Sequence, residues 1–430
     1  VTVDCGIRSV EEARYAQQLG MDLIITDHHH PAQVIPQALA VINPKQPGDH
    51  YPEKDLAGVG LAYKLAEALV TYLKQSAVEV KFQVESFLDL VALGTVADLA
   101  PLVGENRSLV RAGLRQMRQS PRPGIQSLMG VSGIRPDRLN SWDISFALGP
   151  RLNAAGRLDS ALSAYQLLTI TDYQQAGRLA QQLDDQNHER QQITRQIQDL
   201  AEQIALADNP DPLLLFAADP SFNPGVVGLA ASRLAERYYR PAIIAYRGDE
   251  LTRASCRSIQ EFHITQALDQ CADLLVRHGG HAAAAGFTIH NEKLPELLDR
   301  LQQIAAKELG GRDLQPTLVA EAEASLSELD LNLYRYLDLL QPTGYSNPQP
   351  LLITRNLNVR SFRPVGKDGL HLKLVVSDGR LTFDAIAFWQ GYWHAAMPPR
   401  VDLIYAFEIN EYNGQVSFQL NVKDIKPAND

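Results

Sequence analysis

Cysteine is scarce in this chain: three residues, Cys5, Cys256 and Cys271, among 430. None stands in a CxxC pair, and no set of spacings joins them. That excludes a disulfide-stapled secreted scaffold and suits a reducing, cytoplasmic setting. No apolar run is long enough to span a bilayer and no secretory leader is visible, so no membrane role is expected. Basic charge is also in short supply. Forty Lys and Arg face 50 Asp and Glu, a formal net charge of −10. This argues against a broadly basic coat for duplex DNA but leaves room for a local basic groove. A starting methionine is missing as well. The first residue, Val1, lies in an apolar run that reads as a central sheet strand. The expectation is a truncated chain, with further strands and ligands before Val1.

What is present is more specific. The length calls for two to four domains, and a hydrophobic content of 45% allows a sizeable core. Ile24-Ile25-Thr26 runs into Asp27-His28-His29-His30, and Val1-Thr2-Val3 runs into Asp4-Cys5-Gly6. Between them, Ser9-Val10-Glu11-Glu12 has the pattern of a capping box, followed by an amphipathic stretch to Gly20. Strand, helix and strand of this size form a βαβ unit with a right-handed crossover. Parallel strands then deliver Asp4 and His28 to the same carboxyl edge, where open α/β sheets bind ligands.

Further along, residues 1–165 alternate strand-like and helical segments. Gly58 opens a helix, and Phe87 to Gly94 reads as a buried helix running into Asp98. Residues 166–208 are dominated by a polar helical rod from Asp172 to Ala207. Its narrow apolar stripe is Leu179, Leu183, Ile193, Ile197, Leu200 and Ile204, which suits a helix linking two domains. A second α/β unit follows over 209–309, with strands at Leu213–Ala217 and Pro241–Ala245 around a helix from Gly228 to Tyr239. Over 312–427 the character changes to short antiparallel strands. These include a hairpin about Asp378-Gly379 and another about Tyr412-Asn413-Gly414. A small β-barrel of OB type is expected there.

Several clusters are candidates for chemistry. Asp4, Asp27, His28, His29 and Asp98 form a hard, mostly oxygen donor set that suits Mn²⁺ or Mg²⁺ better than structural zinc. Two such ions activate water and clamp a phosphodiester. The competing reading is a polar loop with a helix-capping acid; His30 reads as a bystander. Gly149-Pro150-Arg151-Leu152-Asn153-Ala154-Ala155-Gly156-Arg157 offers close backbone approach and guanidinium forks for phosphate, or a tight turn with surface arginines. Ser255-Cys256-Arg257-Ser258 suits a terminal phosphate, or is a polar strand end. His278-Gly279-Gly280-His281 before an alanine run reads as backbone amides facing an anion, or as the start of a small-residue helix. Asn223-Pro224-Gly225 leads into a helix start. Arg233, Arg237, Arg240, Arg253 and Arg257 make a locally basic sequence. Phe362, His371, Phe388, Trp389 and Trp393 beside Lys373 offer stacking faces or barrel core.

Together these motifs resemble the DHH phosphoesterase superfamily and, within it, the RecJ-type single-strand exonucleases. Residues 1–6 resemble the second family motif, Asp27-His28-His29 the third and Gly94-Thr95-Val96-Ala97-Asp98 the fourth. Residues 149–157 are similar to a RecJ signature. Ser255-x-Arg257-Ser258 and Gly279-Gly280-His281-x-x-Ala284-Ala285-Gly286 resemble the DHH-associated domain. Residues 342–350 resemble the lead into the RecJ OB-fold. The implied fold is α/β: a DHH-type parallel-sheet domain, then an α/β DHH-associated domain joined by the long helix, then a β-barrel OB-fold.

The resemblance implies Asp4, His28 and Asp98 as metal ligands, with Asp4 bridging two Mn²⁺ or Mg²⁺ ions. It implies His29 on the scissile phosphate, with Asp27 supporting it. Arg151, Arg157, Ser255, Arg257 and Ser258 would hold the 5′-phosphate or nearby backbone, and Gly280 and His281 would touch the nucleotide. The implied reaction is 5′-to-3′ hydrolysis of single-stranded DNA to mononucleotides in repair and recombination. The implied partners are single-stranded DNA at its 5′ end, a single-strand-binding protein and a helicase. Two rivals are a DHH phosphodiesterase for short oligonucleotides or cyclic dinucleotides, and a non-catalytic DNA-binding relative. The first, Asp-rich family motif is absent from the chain as given, so it is expected to be inactive or nearly so. Phe222-Asn223 stands where RecJ proteins often have Trp-His.

Overall fold

The structure, a computed structural model, describes residues 1–119, 122–158, 160–412 and 414–428. They fall into two compact units. One comprises Val1–Ser120, Asp137–Ser145 and Leu318–Asp430; the other comprises Pro121–Pro136 and Phe146–Thr317.

The first unit opens with three short parallel strands, β1 (Thr2–Val3), β2 (Ile24–Thr26) and β3 (Ala40–Ile42), in that spatial order. The parallel β1–β2 pair matches expectation. However, β1 is the edge of the described sheet rather than its centre, and β3 is an addition to the expected pair. Its three residues are too few for a periodicity signal. Helix α1 (Val10–Gln18) forms the crossover. The capping box does not form, because the Ser9 side chain makes no cap hydrogen bond. The Ser9 amide donates to Gly6 O, and Glu11 is drawn to Arg14 at 2.7 Å. Then come α2 (Gly58–Gln75), α3 (Leu88–Ala97) and α4 (Gly104–Gln119). Helix α3 is apolar nearly all round and buries Val91, Ala92, Leu93 and Val96, as a central helix must.

In the second unit, α5 (Pro123–Val131), α6 (Gly149–Leu158) and α7 (Leu162–Thr169) pack on the 34-residue α8 (Tyr173–Leu206). The glycine- and arginine-rich 149–157 segment is therefore helix, not a tight turn. The buried stripe of α8 differs from the large-residue pattern. It runs through Ala176, Ala180, Leu183, Asp184, Asn187, Thr194, Ile197 and Ala201, whereas Leu200 and Ile204 are exposed. Small residues let neighbouring helices approach closely, and the buried polar ones find partners there.

A five-stranded sheet follows, in the order β4 (Leu215–Asp219), β5 (Ala242–Arg247), β6 (Leu251–Arg257), β8 (Ala284–His290), β7 (Leu275–Gly280). Only β4–β5 is parallel. Helices α9 (Val227–Tyr238), α10 (Ile264–Asp269) and α11 (Leu294–Leu309) accompany it. Ala284 and Ala285 lie in a strand, not in a small-residue helix. Gly280 has φ +152°, and a Cβ there would overlap the Ala284 carbonyl and Ala285. The alanine run thus folds back on β7.

The remainder of the first unit is a barrel. After β9 (Ala322–Glu323) and α12 (Leu331–Asp338) come β10 (Leu352–Val365), β11 (His371–Ser377), β12 (Thr382–Ala387), β13 (Arg400–Tyr412) and β14 (Gln415–Pro427). The order β10-β11-β12-β14-β13 closes through β10–β13, with β12–β14 the one parallel pair in the ring. This is an OB-type closed five-stranded barrel. Leu357, Leu372, Leu374, Leu403 and Tyr405 fill it. The Asp378-Gly379 turn forms as expected, with Asp378 Oδ1 accepting from the amides of Arg380 and Leu381. Asn413 of the other expected turn lies outside the described residues.

Candidate metal centre and phosphate site

Strand β1 ends in Asp4, whose backbone adopts φ +63°. This left-handed conformation is uncommon outside glycine, though Asp tolerates it better than most. Its amide still donates to Thr26 O at 2.9 Å, so the end of β1 is tied to β2. Helix α2 begins against the same carboxylate. A Cβ on Gly58 would overlap the Asp4 side chain, so glycine there makes the room that Asp4 occupies. Gly58→Ala is therefore expected to displace Asp4 and weaken Mn²⁺ binding about tenfold. The fold should stand, since what a Cβ there would meet is the Asp4 side chain and not main chain. Calorimetric Mn²⁺ titration beside a thermal melt checks the split.

At the end of β2, Asp27 is 2% exposed. Its Oδ2 accepts from the Ile7 amide at 2.9 Å. Its Oδ1 accepts from the amides of His28 at 2.8 Å and His29 at 3.2 Å, and from His29 Nδ1 at 2.7 Å. Burial pushes the Asp27 carboxyl up, but these donors outweigh it and hold it below the ordinary carboxylate range. A carboxylate only accepts, so Nδ1 of His29 carries the proton. Just after β3, Asn43 Nδ2 donates to His29 O at 2.9 Å, and Asn43 Oδ1 takes the Lys45 amide. The carbonyl of His30 receives Arg8 Nε.

His28 stands between two acids. Its Nε2 lies 3.0 Å from Asp4 Oδ1 and 3.5 Å from Asp98 Oδ2. Yet this buried nitrogen meets hydrogen-bond geometry with neither. Asp98 caps α3, where its amide bonds Gly94 O. Burial and then the like charge of Asp4 push its carboxyl up, against the pull of His28. Ligand atoms of Asp4, His28 and His29 lie within 4.8 Å of one another. An imidazole nitrogen without a proper donor or acceptor, flanked by carboxylates, fits a hard divalent cation.

The second unit brings another group together. On β6, Ser255 and Arg257 face the start of α9. A Cβ on Gly228 would sit 3.3 Å from Arg257 Nη2 and 3.4 Å from Ser255 Oγ. Arg157, at the end of α6, donates from Nη1 to Gly225 O at 3.1 Å. Burial and then the neighbouring Arg157 lower the pKa of Arg257. Burial lowers Arg190 too, helped by Arg157 and Arg233, and Arg190 Nε is buried without a hydrogen-bond partner. Half-buried guanidinium groups that repel one another make this cluster a candidate for binding an anion. Arg190 has no signal in the sequence, because α8 is densely polar and nothing local marks it.

Other expected residues make the following contacts. Arg151 is turned to Asp184, with Nε donating to Oδ1 at 2.8 Å and Nη1 to Ala147 O. The Ser258 hydroxyl donates to Phe262 O. The His281 amide bonds Ala284 O, and its carbonyl takes the Thr265 hydroxyl. The basic sequence of the second unit is partly neutralised, with Arg237 paired to Glu202 and Arg240 to Asp211. On the barrel, Phe388 and Trp389 are exposed and meet the His371 ring edge-on, while Trp393 packs against the core. No helix among the described residues is long and apolar enough to cross a membrane.

Comparison with known proteins agrees with this architecture. The DHH family N-terminal domain matches residues 1–95, the DHHA1 domain 211–307 and the RecJ OB domain 320–424. A parallel-strand edge carrying Asp-His-His, followed by a DHHA1 domain, defines a DHH-family chain. The chain is 37% identical over 446 residues to the single-stranded-DNA-specific exonuclease RecJ of Salmonella typhimurium, covering 99% of this chain and 77% of that protein. It is 36% identical to RecJ of Bacillus subtilis over 99% of this chain and 53% of that one. The crystal structure of RecJ from Thermus thermophilus in complex with Mn²⁺ superposes with a TM-score of 0.85 at 30% identity, over 100% of this chain and 62% of that one. The chain belongs to the RecJ family. It spans about half the length of the Bacillus subtilis relative.

Proposed function

We propose that this chain is the nuclease part of a divalent-metal phosphodiesterase that removes nucleotides from the 5′ end of single-stranded DNA, in repair and recombination. The observation that carries the reading is the His28 nitrogen held between Asp4 and Asp98 without hydrogen-bond geometry to either. Asp4, His28 and Asp98 would hold Mn²⁺ or Mg²⁺. Such ions supply an activated water and a counter-charge for the phosphodiester. His29, protonated at Nδ1 toward Asp27, presents its other ring nitrogen to a phosphoryl oxygen. Asp27 orients that ring, so that a proton on its other nitrogen points at that oxygen. Arg157, Arg190, Arg257 and Ser255 would hold the 5′-phosphate, and the exposed faces of Phe388 and Trp389 would stack on bases. A two-ion centre needs more oxygen donors than Asp4, His28 and Asp98 offer. We therefore infer that these 430 residues alone cleave slowly or not at all. Single-strand-binding protein and a helicase are the partners this reading implies.

Two measurements test it. Mn²⁺ titrated into the chain is expected to bind at a site competed by Mg²⁺; no binding overturns the metal centre. A 5′-phosphorylated single strand is expected to bind more tightly than its 5′-hydroxyl counterpart. Arg257→Ala should cut that preference about tenfold, the worth of one charge-assisted phosphate contact. An unchanged ratio removes Arg257 from the phosphate site.

A further inference from the structure

We infer that Asn223 is a positioning residue that holds Arg157 ready for the terminal phosphate, acting through the backbone of Gly225. The inference rests on the phosphate site proposed above.

Asn223 organises the turn into α9 with both of its acceptors. Its Oδ1 takes the Gly225 amide at 2.8 Å. Its carbonyl takes the amides of Val226 at 3.1 Å and Val227 at 3.2 Å. Phe222, 2% exposed in the core beneath α9, anchors one side of the turn. An Asn side chain bonded to the amide two residues on makes a closed local ring, which fixes the peptide between them. That ring holds the Pro224–Gly225 peptide, and the next peptide, which carries the Gly225 carbonyl, is held by its Val226 amide on Asn223 O; this carbonyl is the acceptor for Arg157 Nη1 at 3.1 Å.

The fit is close from the other side as well. A Cβ on Gly225 would stand 2.5 Å from the Arg157 carbonyl and 3.2 Å from Asn223 Oδ1. The turn and the end of α6 therefore touch through main chain as well as through the guanidinium. Arg157 needs such an anchor. Arg190 and Arg257 act on it as like charges, and a long exposed side chain so placed swings toward water. Arginine has five donors in a planar fork, and holding one on a carbonyl orients the others at little further entropy cost. Three residues beyond Gly225, Gly228 rests on Ser255 and Arg257. One turn thus sets the spacing between Arg157 and the Ser255–Arg257 pair. Asn223 acts by shaping that spacing and does not itself contact the phosphate.

The test compares binding of 5′-phosphorylated and 5′-hydroxyl single strands, by fluorescence anisotropy in metal-free buffer. Asn223→Ala is expected to lower the preference for the phosphorylated end about three- to tenfold, the loss of one hydrogen bond's worth of order. Asn223→Ser keeps an acceptor for the Gly225 amide and should restore most of it. In a double-mutant cycle, Asn223→Ala should cost nothing further in an Arg157→Ala background. Gly225→Ala disturbs the same contact from the other side and should reproduce the loss if Asn223→Ala does not fold. Equal weakening for both ends, or additivity with Arg157→Ala, overturns the inference. A wild-type chain that ignores the 5′-phosphate sinks the phosphate site itself. A wild-type preference left intact by Asn223→Ala sinks only the role of Asn223.

Discussion

Alanine in place of His28 is expected to weaken Mn²⁺ binding about a hundredfold or more. Disturbing a residue that merely supports a metal ligand costs roughly ten- to a hundredfold in affinity, so removing a ligand should cost at least the upper end of that range. His28 supplies the one nitrogen placed between Asp4 and Asp98. Without it, two carboxylates must share the ion with no neutral donor between them. The side chain is mostly buried, but its Nε2 makes no geometrically sound hydrogen bond. Its loss therefore strands no partner, and the circular dichroism spectrum should be retained. Calorimetric titration of Mn²⁺ into wild type and His28→Ala reads the effect. Equal affinities would remove His28 from the metal centre and with it the main support for the nuclease reading.

The second large effect falls on stability. Asp27→Asn should destabilise the first unit by about 2–3 kcal/mol, the cost of leaving a buried donor unsatisfied and weakening charge-assisted bonds. The Asp27 carboxylate accepts from four donors, three on Oδ1 and one on Oδ2. Asparagine has one acceptor atom. If its oxygen serves the three donors of the His28–His29 segment, its NH₂ is driven against the Ile7 amide, donor against donor. The opposite flip strands three donors instead of one. All three tryptophans, Trp142, Trp389 and Trp393, lie in the first unit, so urea unfolding followed by tryptophan fluorescence reports on it. An unchanged midpoint would mean that Asp27 is replaceable at this turn. This is a role distinct from metal ligation: Asp27 is the buried hub from which His28 and His29 take their orientation.

The strand ends were legible because their signal is local. An apolar run that stops at an acid reads as a strand reaching a sheet edge, and the helical stretch between Asp4 and Asp27 makes the two strands parallel. The barrel was legible for a similar reason, since alternation on either side of Asp378-Gly379 marks a hairpin. What stayed hidden was non-local. Strand β3 is only three residues long, yet the residue that follows it, Asn43, holds the His29 carbonyl. The 149–157 segment resembles a turn in sequence because glycine and proline punctuate it, but contacts with α8 make it a helix. The alanine run after Gly280 carries helix propensity, but pairing with β6 and β7 makes it a strand.

The two arginines that look alike in sequence, Arg151 and Arg157, separate on the same grounds. Arg151 meets the buried carboxylate of Asp184, whereas Arg157 meets like charges and a fixed carbonyl. Nothing within the nonamer distinguishes them, because the distinction is made by residues far along the chain.

By itself, the order of residues determined which chemistry the chain can carry: carboxylates and imidazoles at strand ends, guanidinium groups among small residues, and alternating apolar positions in a closing barrel. Those choices are written locally, in periodicity and in the residue types that metals and phosphates demand. Tertiary structure decided which of these groups work together. It left a nitrogen of His28 without a hydrogen bond between two acids, turned Asp27 inward, diverted Arg151 into an internal ion pair and added Arg190 to the basic cluster. Each outcome depends on distances and burial between segments far apart in the chain, and a low-dielectric interior makes such encounters strong where solvent would have left them weak.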